Sequence, residues 1–329
     1  MDKRLNELLT RKILTKIPNN IKPIDYLIEV LGIGKESVYR RMRSEIPFTF
    51  EEITKIAINL GLSIDEIIGW NKRERVFFDL NTSSCSPAED SFSSILGNYQ
   101  KYLDLACESR DLEIMVTVNK IISLFAIISD SDTIFKFYYY RWLQQGNRDI
   151  QDMPLSEIAV PKHILEAKKE IKAKIERLDN VSVILDKDAI IHSVREIQYY
   201  FNRKLITNDE IQMLKTELKL FLEYFERLML RGYNLNGKAY HIYLSLLSVA
   251  SNSIYCRYGS NFISHYWIYE TNSVAIMSME MCQMHKRWID SLKKSSVLIT
   301  QSNEILQAAF LSKQKEYIES ITNDLYYYG

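Results

Sequence analysis

An all-α fold is what this sequence predicts, on three observations. Its 329 residues include only ten glycines and six prolines against a rich supply of Leu, Ile, Glu and Lys, too few turn formers for an all-β chain. Apolar residues recur at steps of three and four through much of the chain, the spacing of one buried helix face. Three Thr/Ser-x-x-Glu patterns (Thr49 with Glu52, Ser63 with Glu66, Thr207 with Glu210) mark helix starts at which the two side chains satisfy free N–H groups reciprocally. With 47% hydrophobic residues the chain can bury a sizeable core. The expected architecture is a five-helix N-terminal domain over 1–78, a linker over 79–91, and a larger helical domain over 92–329, either a bundle or a degenerate solenoid.

The first helix is expected over 5–17, with Leu5, Leu8, Leu9, Ile13 and Ile17 on one side and Pro18 and Asn19 behind it. Pro23 falls in the first turn of the second helix, where proline is best tolerated; Ile24, Leu27, Ile28 and Leu31 form its face up to Gly32. After Gly34 a short third helix covers 35–43, and Pro47 marks the loop behind it. The Thr49 box opens a fourth helix, facing inward with Ile53, Ile56, Ala57 and Leu60 and stopped by Gly61. The Ser63 box opens a fifth that ends at Gly69. Residues 79–91 (DLNTSSCSPAEDS) lack periodicity and concentrate Ser, Thr, Asn, Asp and Pro, hence the linker.

Beyond it the reading stays helical. The most apolar window, 112–128, is broken by Glu113, Thr117, Asn119, Lys120 and Ser123 and is short for a bilayer crossing, so it reads as a buried helix. Residues 157–179 place Ile164, Ile171, Ile175 and Leu178 on one side amid Lys and Glu, an amphipathic helix. The run 181–185 is β-prone and unassigned. Behind the Thr207 box, Ile211, Leu214, Leu218, Phe221, Phe225 and Leu228 form a seam ending at Gly232. Met213, Leu220, Leu222 and Tyr224 make that helix apolar on more than one side, which favours a helix pair within the domain; the seam is also a candidate dimer contact.

Net charge is zero, with 42 basic and 42 acidic residues, but the distribution is uneven. The first 43 residues carry ten Lys or Arg against five acids, about +5, which leaves about −5 for the remainder. A basic end on a neutral chain suggests an anionic partner for that end, although a solvated basic face gives the same count. The stretch LGIGKESVYRRMRS concentrates the effect, with four cations between Lys35 and Arg43 directly after a tight turn. Wound as a helix, Val38 and Met42 lie about 40° apart on one side, while Glu36, Tyr39, Arg40 and Arg43 lie on the other. Such a helix, anchored by two apolar side chains, fits a DNA major groove. Arg40 suits guanine, Glu36 a cytosine amine, and Tyr39 and Arg43 phosphates.

The segment from Ile24 to Gly69 resembles the lambda-repressor-like, or XRE-type, helix-turn-helix domain. The residues that carry the resemblance are Leu27, the turn Leu31-Gly32-Ile33-Gly34, Val38, Met42, the helix FEEITKIAINLG and the closing LSIDEIIG. The sequence departs from the family pattern at Ile28, where a small residue is usual, at Arg41, usually apolar, and at Ser44, where an Asn-Gly pair is common. The resemblance implies that 35–43 is the recognition helix and that Lys35 and Glu36 contact bases. The candidate DNA contacts are therefore Lys35, Glu36, Ser37, Tyr39, Arg40, Arg41 and Arg43, with the Arg41 stem lying on the core and its head reaching phosphate.

The larger domain names no ligand. Tyrosines cluster at 138–140, 199–200, 240, 243, 255, 258, 266 and 269, and methionines at 277, 279, 281 and 284. Such residues line adaptable pockets for a peptide or small molecule, and at helical spacing they are more often core. Cys256, His265, Cys282 and His285 offer four soft ligands without a tight Cys-x-x-Cys pair; a buried thiol and a surface histidine are the simpler reading. No phosphate-binding glycine loop, GxSxG or HExxH occurs, so neither enzymatic activity nor a cofactor is expected. The start MDKRLNELL has charges inside any would-be apolar stretch, and the four cysteines are widely spaced, which points to a reducing, cytoplasmic setting with no membrane association. The expected function is a transcriptional regulator that binds double-stranded DNA as a homodimer, with an effector possible in the larger domain. The alternative is a helical peptide receptor or scaffold whose small domain is an interaction module.

Overall fold

The computed structural model describes residues 3–17, 21–60, 62, 79–80, 88–109, 111–146, 150–268 and 272–322. The chain divides into two compact units, Met1–Val76 and Phe77–Gly329.

In the first unit four helices close on one core: α1 (Lys3–Lys16), α2 (Pro23–Leu31), α3 (Lys35–Met42) and α4 (Phe50–Leu60). The three-and-four spacing is realised directly, since Leu9, Ile13, Ile17, Leu27, Val38, Ile53 and Ile56 are buried together. Gly32 takes the left-handed conformation at φ 67° that ends α2, which an L side chain adopts only with strain. At the start of α4 the Glu52 carboxylate accepts from the Thr49 N–H at 2.9 Å while Thr49 Oγ1 accepts from the Glu52 N–H at 3.2 Å, closing the expected box. The fifth helix, expected behind Ser63, lies outside the described residues.

The second unit overturns the all-α expectation, bundle and solenoid alike. It is built on an eight-stranded mixed sheet in the order β1-β7-β6-β5-β2-β3-β4-β8. The strands are β1 (Asp79–Leu80), β2 (Leu112–Val118), β3 (Val181–Asp186), β4 (Tyr240–Ser245), β5 (Ser253–Tyr258), β6 (Asn261–Ile268), β7 (Asn272–Ile276) and β8 (Ser296–Leu298). β2, β3 and β4 run parallel and the other pairings are antiparallel. One face carries α5 (Ala88–Glu108), α6 (Ile122–Ile128), α7 (Thr133–Gly146), α8 (Lys162–Ile175), α9 (Ala189–Asn202), α10 (Asn208–Arg231) and α12 (Glu304–Glu319) over the main core; α11 (Met279–Lys294) covers the other. Alternation divides the strands between them: Ile114, Val118, Val183 and Leu185 face the main core, while Met115, Ile184, Tyr243 and Tyr255 face α11.

Burial on both faces explains the error. A central parallel strand reads as a continuous apolar run that periodicity alone cannot tell from a buried helix. The window 112–128, read as one helix, is β2 followed by α6, and the unassigned run at 181 is the fully buried β3. The tyrosines from 240 to 266, weighed as helical surface, lie on β4, β5 and β6, where aromatic residues are favoured. Of the stretch read as a linker, Asp79–Leu80 pairs with β7 and α5 begins at Ala88.

The Thr207 box is closed by reciprocal bonds at the start of α10, and Gly232 at φ 76° ends that helix. Its seam residues Ile211, Leu214, Leu218, Phe221, Phe225 and Leu228 are buried in the unit's own core, as are Ile164, Ile171 and Leu178 of the amphipathic stretch. The apolar faces considered for a dimer contact are thus covered from within the chain. Among the described residues no helix is long and apolar enough to cross a membrane.

Candidate nucleic-acid interface

The third helix is held at its C-terminal end and along one side. Val38 is fully buried and Met42 packs against the same core. At the C-terminus the Glu45 N–H donates to the Arg40 carbonyl and the Ser44 N–H to the Arg41 carbonyl, both at 2.9 Å, with Ser44 left-handed at φ 59°. That is a Schellman closure with serine in the place usually taken by glycine. The sequence departure at Ser44 has a structural counterpart on α1. Asn6, 2% exposed, donates to the Arg41 carbonyl at 2.9 Å and to Ser44 Oγ at 3.0 Å, and its Oδ1 accepts from the Phe48 N–H at 3.1 Å. One buried amide therefore ties α1, the end of α3 and the following loop together.

On the outer side Lys35, Glu36, Arg40 and Arg43 are exposed, while Ser37 and Tyr39 are half-buried. The Arg43 guanidinium lies 5.7 Å from the centre of the Tyr39 ring. Glu45, which the sequence reading did not consider, stands 3.7 Å from Arg40 and 3.9 Å from Arg43 in loose, exposed pairs. Pairs of this kind contribute at most about 1 kcal/mol and exchange readily for a phosphate.

Arg41 is different from its neighbours. Its Nε donates to Glu52 Oε2 at 2.7 Å and its Nη1 to the Ser37 carbonyl at 3.2 Å, and both side chains of the ion pair are about 85% buried, at 15% and 13% exposure. Partial burial pushes the Glu52 carboxyl up, but the Arg41 bond and the Thr49 N–H outweigh it and hold the carboxyl below its ordinary value. The cation expected on phosphate is thus engaged inside the domain, and the acid of the α4 capping box is its partner. Glu52 was legible as a cap; its second role was not, because nothing local links residues 41 and 52. Asn6 gave a fainter signal, a polar residue on the same stripe as Leu9, Ile13 and Ile17.

The four soft ligands weighed for zinc are not brought together. Cys256 and His265 face the main core, while Cys282 and His285 stand on α11 across the sheet. His285 is buried rather than on the surface, 2.9 Å from the hydroxyls of both Ser253 and Ser264, and burial pushes its pKa down to about 4. Among the described residues no group of three or more His, Cys, Asp or Glu side chains is arranged to hold a metal ion.

Residues 1–81 match the BetR domain, a helix-turn-helix type of DNA-binding domain family. The match covers the first unit and the start of the second, about a quarter of the chain, and gives that region the character of a DNA-binding regulator domain. No curated protein and no solved structure matches the chain.

Proposed function

We propose that this protein is a sequence-reading transcriptional regulator, with α3 lying in the major groove in the manner of lambda-repressor-like domains. The observation that carries the reading is the division of α3 itself. Val38, Met42 and Arg41 hold the helix to the domain, and Lys35, Glu36, Arg40 and Arg43 are exposed on the opposite side, the two arginines only in loose pairs with Glu45. An eight-residue helix about 12 Å long fits the groove with its N-terminal residues toward base edges. Lys35, Glu36 and Arg40 take the base edges. Tyr39 and Arg43 take the phosphate backbone, with Ser37 beside them at the groove wall. Arg41 serves the reading by positioning, through Glu52, and touches no DNA.

The test is salt dependence. Binding of the full chain to duplex DNA, followed by fluorescence anisotropy between about 50 and 200 mM salt, should weaken with a log–log slope close to one per phosphate contact. Affinity that does not respond to salt refutes the reading.

A single α3 reaches only a few base pairs, too few to pick one site from a genome of competitors. The reading therefore includes a symmetric dimer on two half-sites. Its contact would have to use surface other than the buried seam of α10 or the buried face of α8. Light scattering of the full chain at micromolar concentration is the check, and a monomer that still binds one palindromic site with high specificity removes the dimer.

A further inference from the structure

A cavity of about 420 Å³ lies in the second unit between the helical layer and the sheet. Its floor crosses five neighbouring strands, from His265 on β6 through Cys256 on β5, Val116 on β2 and Val183 on β3 to Tyr240 on β4. Adjacent strands stand about 4.8 Å apart, so four steps make the floor roughly 19 Å long. The roof is equally apolar, with Ala106 of α5, Ile171 of α8 and Phe221 and Phe225 of α10. Val116 is only half-buried although β2 is a central strand, because its side chain borders this space; Ile114 and Val118, on the same face, are buried. An apolar cavity of about 150 Å³ stays dry and takes up one benzene, so by proportion this one has room for about 17 non-hydrogen atoms. Few atoms over a long floor describe a chain rather than a compact ring system.

Polar groups of the lining are turned to the protein. Glu217 accepts from the Ile134 N–H at 2.9 Å and from the Ser131 hydroxyl, and the Tyr240 hydroxyl is bonded to Asn234. The Tyr99 hydroxyl lies 2.9 Å from Ser273 Oγ. At the β6 end, Tyr99 and Tyr102 flank His265 edge-on at 6.0 and 5.0 Å, and the imidazole Nδ1 is fully buried, closed to any occupant. At the β4 end the lining reaches solvent between α8 and α10, past the exposed Leu220 and Leu235. Lys172 stands there already paired with Asp130 and, at 3.8 Å, with Glu176. Counting Glu217 and Arg227, three carboxylates and two cations line the cavity among the described residues. A carboxylate head would add a fourth anion, and an ammonium would meet Lys172 and Arg227. Neither sign of charge is favoured, and a water would need two to four polar partners.

We propose that this cavity binds one uncharged, extended hydrocarbon chain of about 16 carbons, recognised by apolar contact and length alone. Its methylenes pack on Val116, Phe221 and Phe225, and the Lys172 pairs at the mouth stay intact. A terminal hydroxyl, where the chain has one, stays in water between α8 and α10. The proposal stands independently of DNA reading.

The full chain is titrated with diphenylhexatriene, an uncharged rod-shaped hydrocarbon that fluoresces only out of water, and the bound probe is displaced by hexadecanol, hexadecanoate, octanol and cholesterol. The probe should saturate at one per chain. Its trimethylammonium derivative should bind no tighter, and hexadecanoate should compete no better than hexadecanol, because the mouth favours neither sign. Octanol should be weaker by on the order of a hundredfold or more, since half the methylene burial is missing. Cholesterol, as apolar but built on a rigid ring system, should not displace the probe. Val116→Phe, which fills the space from the floor, should weaken the probe at least roughly tenfold while the amides of β3 and β4 keep their exchange protection, separating filling from unfolding. Hydrogen exchange of the unmodified chain gives a readout that needs no variant: hexadecanol should slow the amides of β2, β5 and α10. No saturable binding, a charged ligand binding tighter than its uncharged counterpart, cholesterol competing as well as hexadecanol, unchanged probe affinity in a folded Val116→Phe chain, or no added protection each overturns the proposal.

Discussion

Replacing Asn6 by Ala removes three hydrogen bonds, at 2.9, 3.0 and 3.1 Å, from a side chain that is 2% exposed. The Phe48 N–H and the Arg41 carbonyl lose their partner in a site that water does not reach freely, and Ser44 keeps a left-handed backbone without the contact that favours it. At roughly 0.5–1.5 kcal/mol for each bond the expected cost is about 2–4 kcal/mol, a large share of what a small domain has. That corresponds to a roughly thirty- to thousandfold loss of protection from hydrogen exchange at 1.36 kcal/mol per decade. Exchange followed by mass spectrometry on the full chain localises the effect, because amides of α1, α3 and the Phe48 loop should lose protection while those of β3 and β4 should not. Asn6→Asp keeps the acceptor for Phe48 and loses the donor, so it should fall between the two. Protection unchanged within twofold in Asn6→Ala would show that the amide does not hold α3.

Positioning and contact are separable at the arginines of α3, and a carboxylate and an imidazole tie stability to pH. Arg41→Ala should destabilise the first unit by about 1–3 kcal/mol, the scale of hydrogen bonds to a charged group, whereas Arg40→Ala should leave its exchange protection unchanged. On DNA, Arg40→Ala should cost about 1–3 kcal/mol at the preferred site and relax one base position, while Arg43→Ala should weaken all sequences alike; uniform loss in both variants would make Arg40 a phosphate contact. Because Glu52 is held below its ordinary carboxylate value, its contribution is complete above the unfolded pKa near 4.5 and is lost as pH falls through the lower folded one; acid unfolding of the first unit, read by exchange, should flatten in Glu52→Gln. His285, pushed down to about 4, likewise contributes in full above its ordinary 6.5, and the second unit should lose stability as pH falls from 6.5 toward 4, a slope that His285→Gln reduces.

What was legible in the sequence was local. The stripes of α1 to α4, apart from Leu8, which the α1 stripe included and which stands 40% exposed, the two capping boxes at Thr49 and Thr207, and the glycine stops at Gly32 and Gly232 each depend on residues within a few positions of one another, and each is found in the structure. The sheet is the opposite case. β2 pairs with β3 across more than sixty residues and with β5 across more than a hundred, and both its faces are covered, so no alternation survives to announce it. One short-range signal was present and passed over: Gly259 and Ser260 between two tyrosine-rich runs form the two-residue loop joining β5 and β6, with Gly259 at φ 57°.

The same distinction governs α3. Arg40, Arg41 and Arg43 are one residue type within four positions, and helical geometry alone aims Arg40 and Arg43 outward. Arg41 lies toward the flank, where the outcome depends on whether an acid from a later helix stands within reach. Glu52 does, at 2.7 Å, and the Arg41 head is engaged within the domain. The departure of this position from an apolar residue therefore has a physical meaning. The guanidinium stem covers the core as an apolar side chain would, and its head links α3 to the first turn of α4. A rotation of α3 then has to break a mostly buried ion pair as well as slide Val38 and Met42 over the core. Such a tie fixes how α3 presents its exposed residues, because the free energy of ordering the helix is met on folding and not on binding a partner.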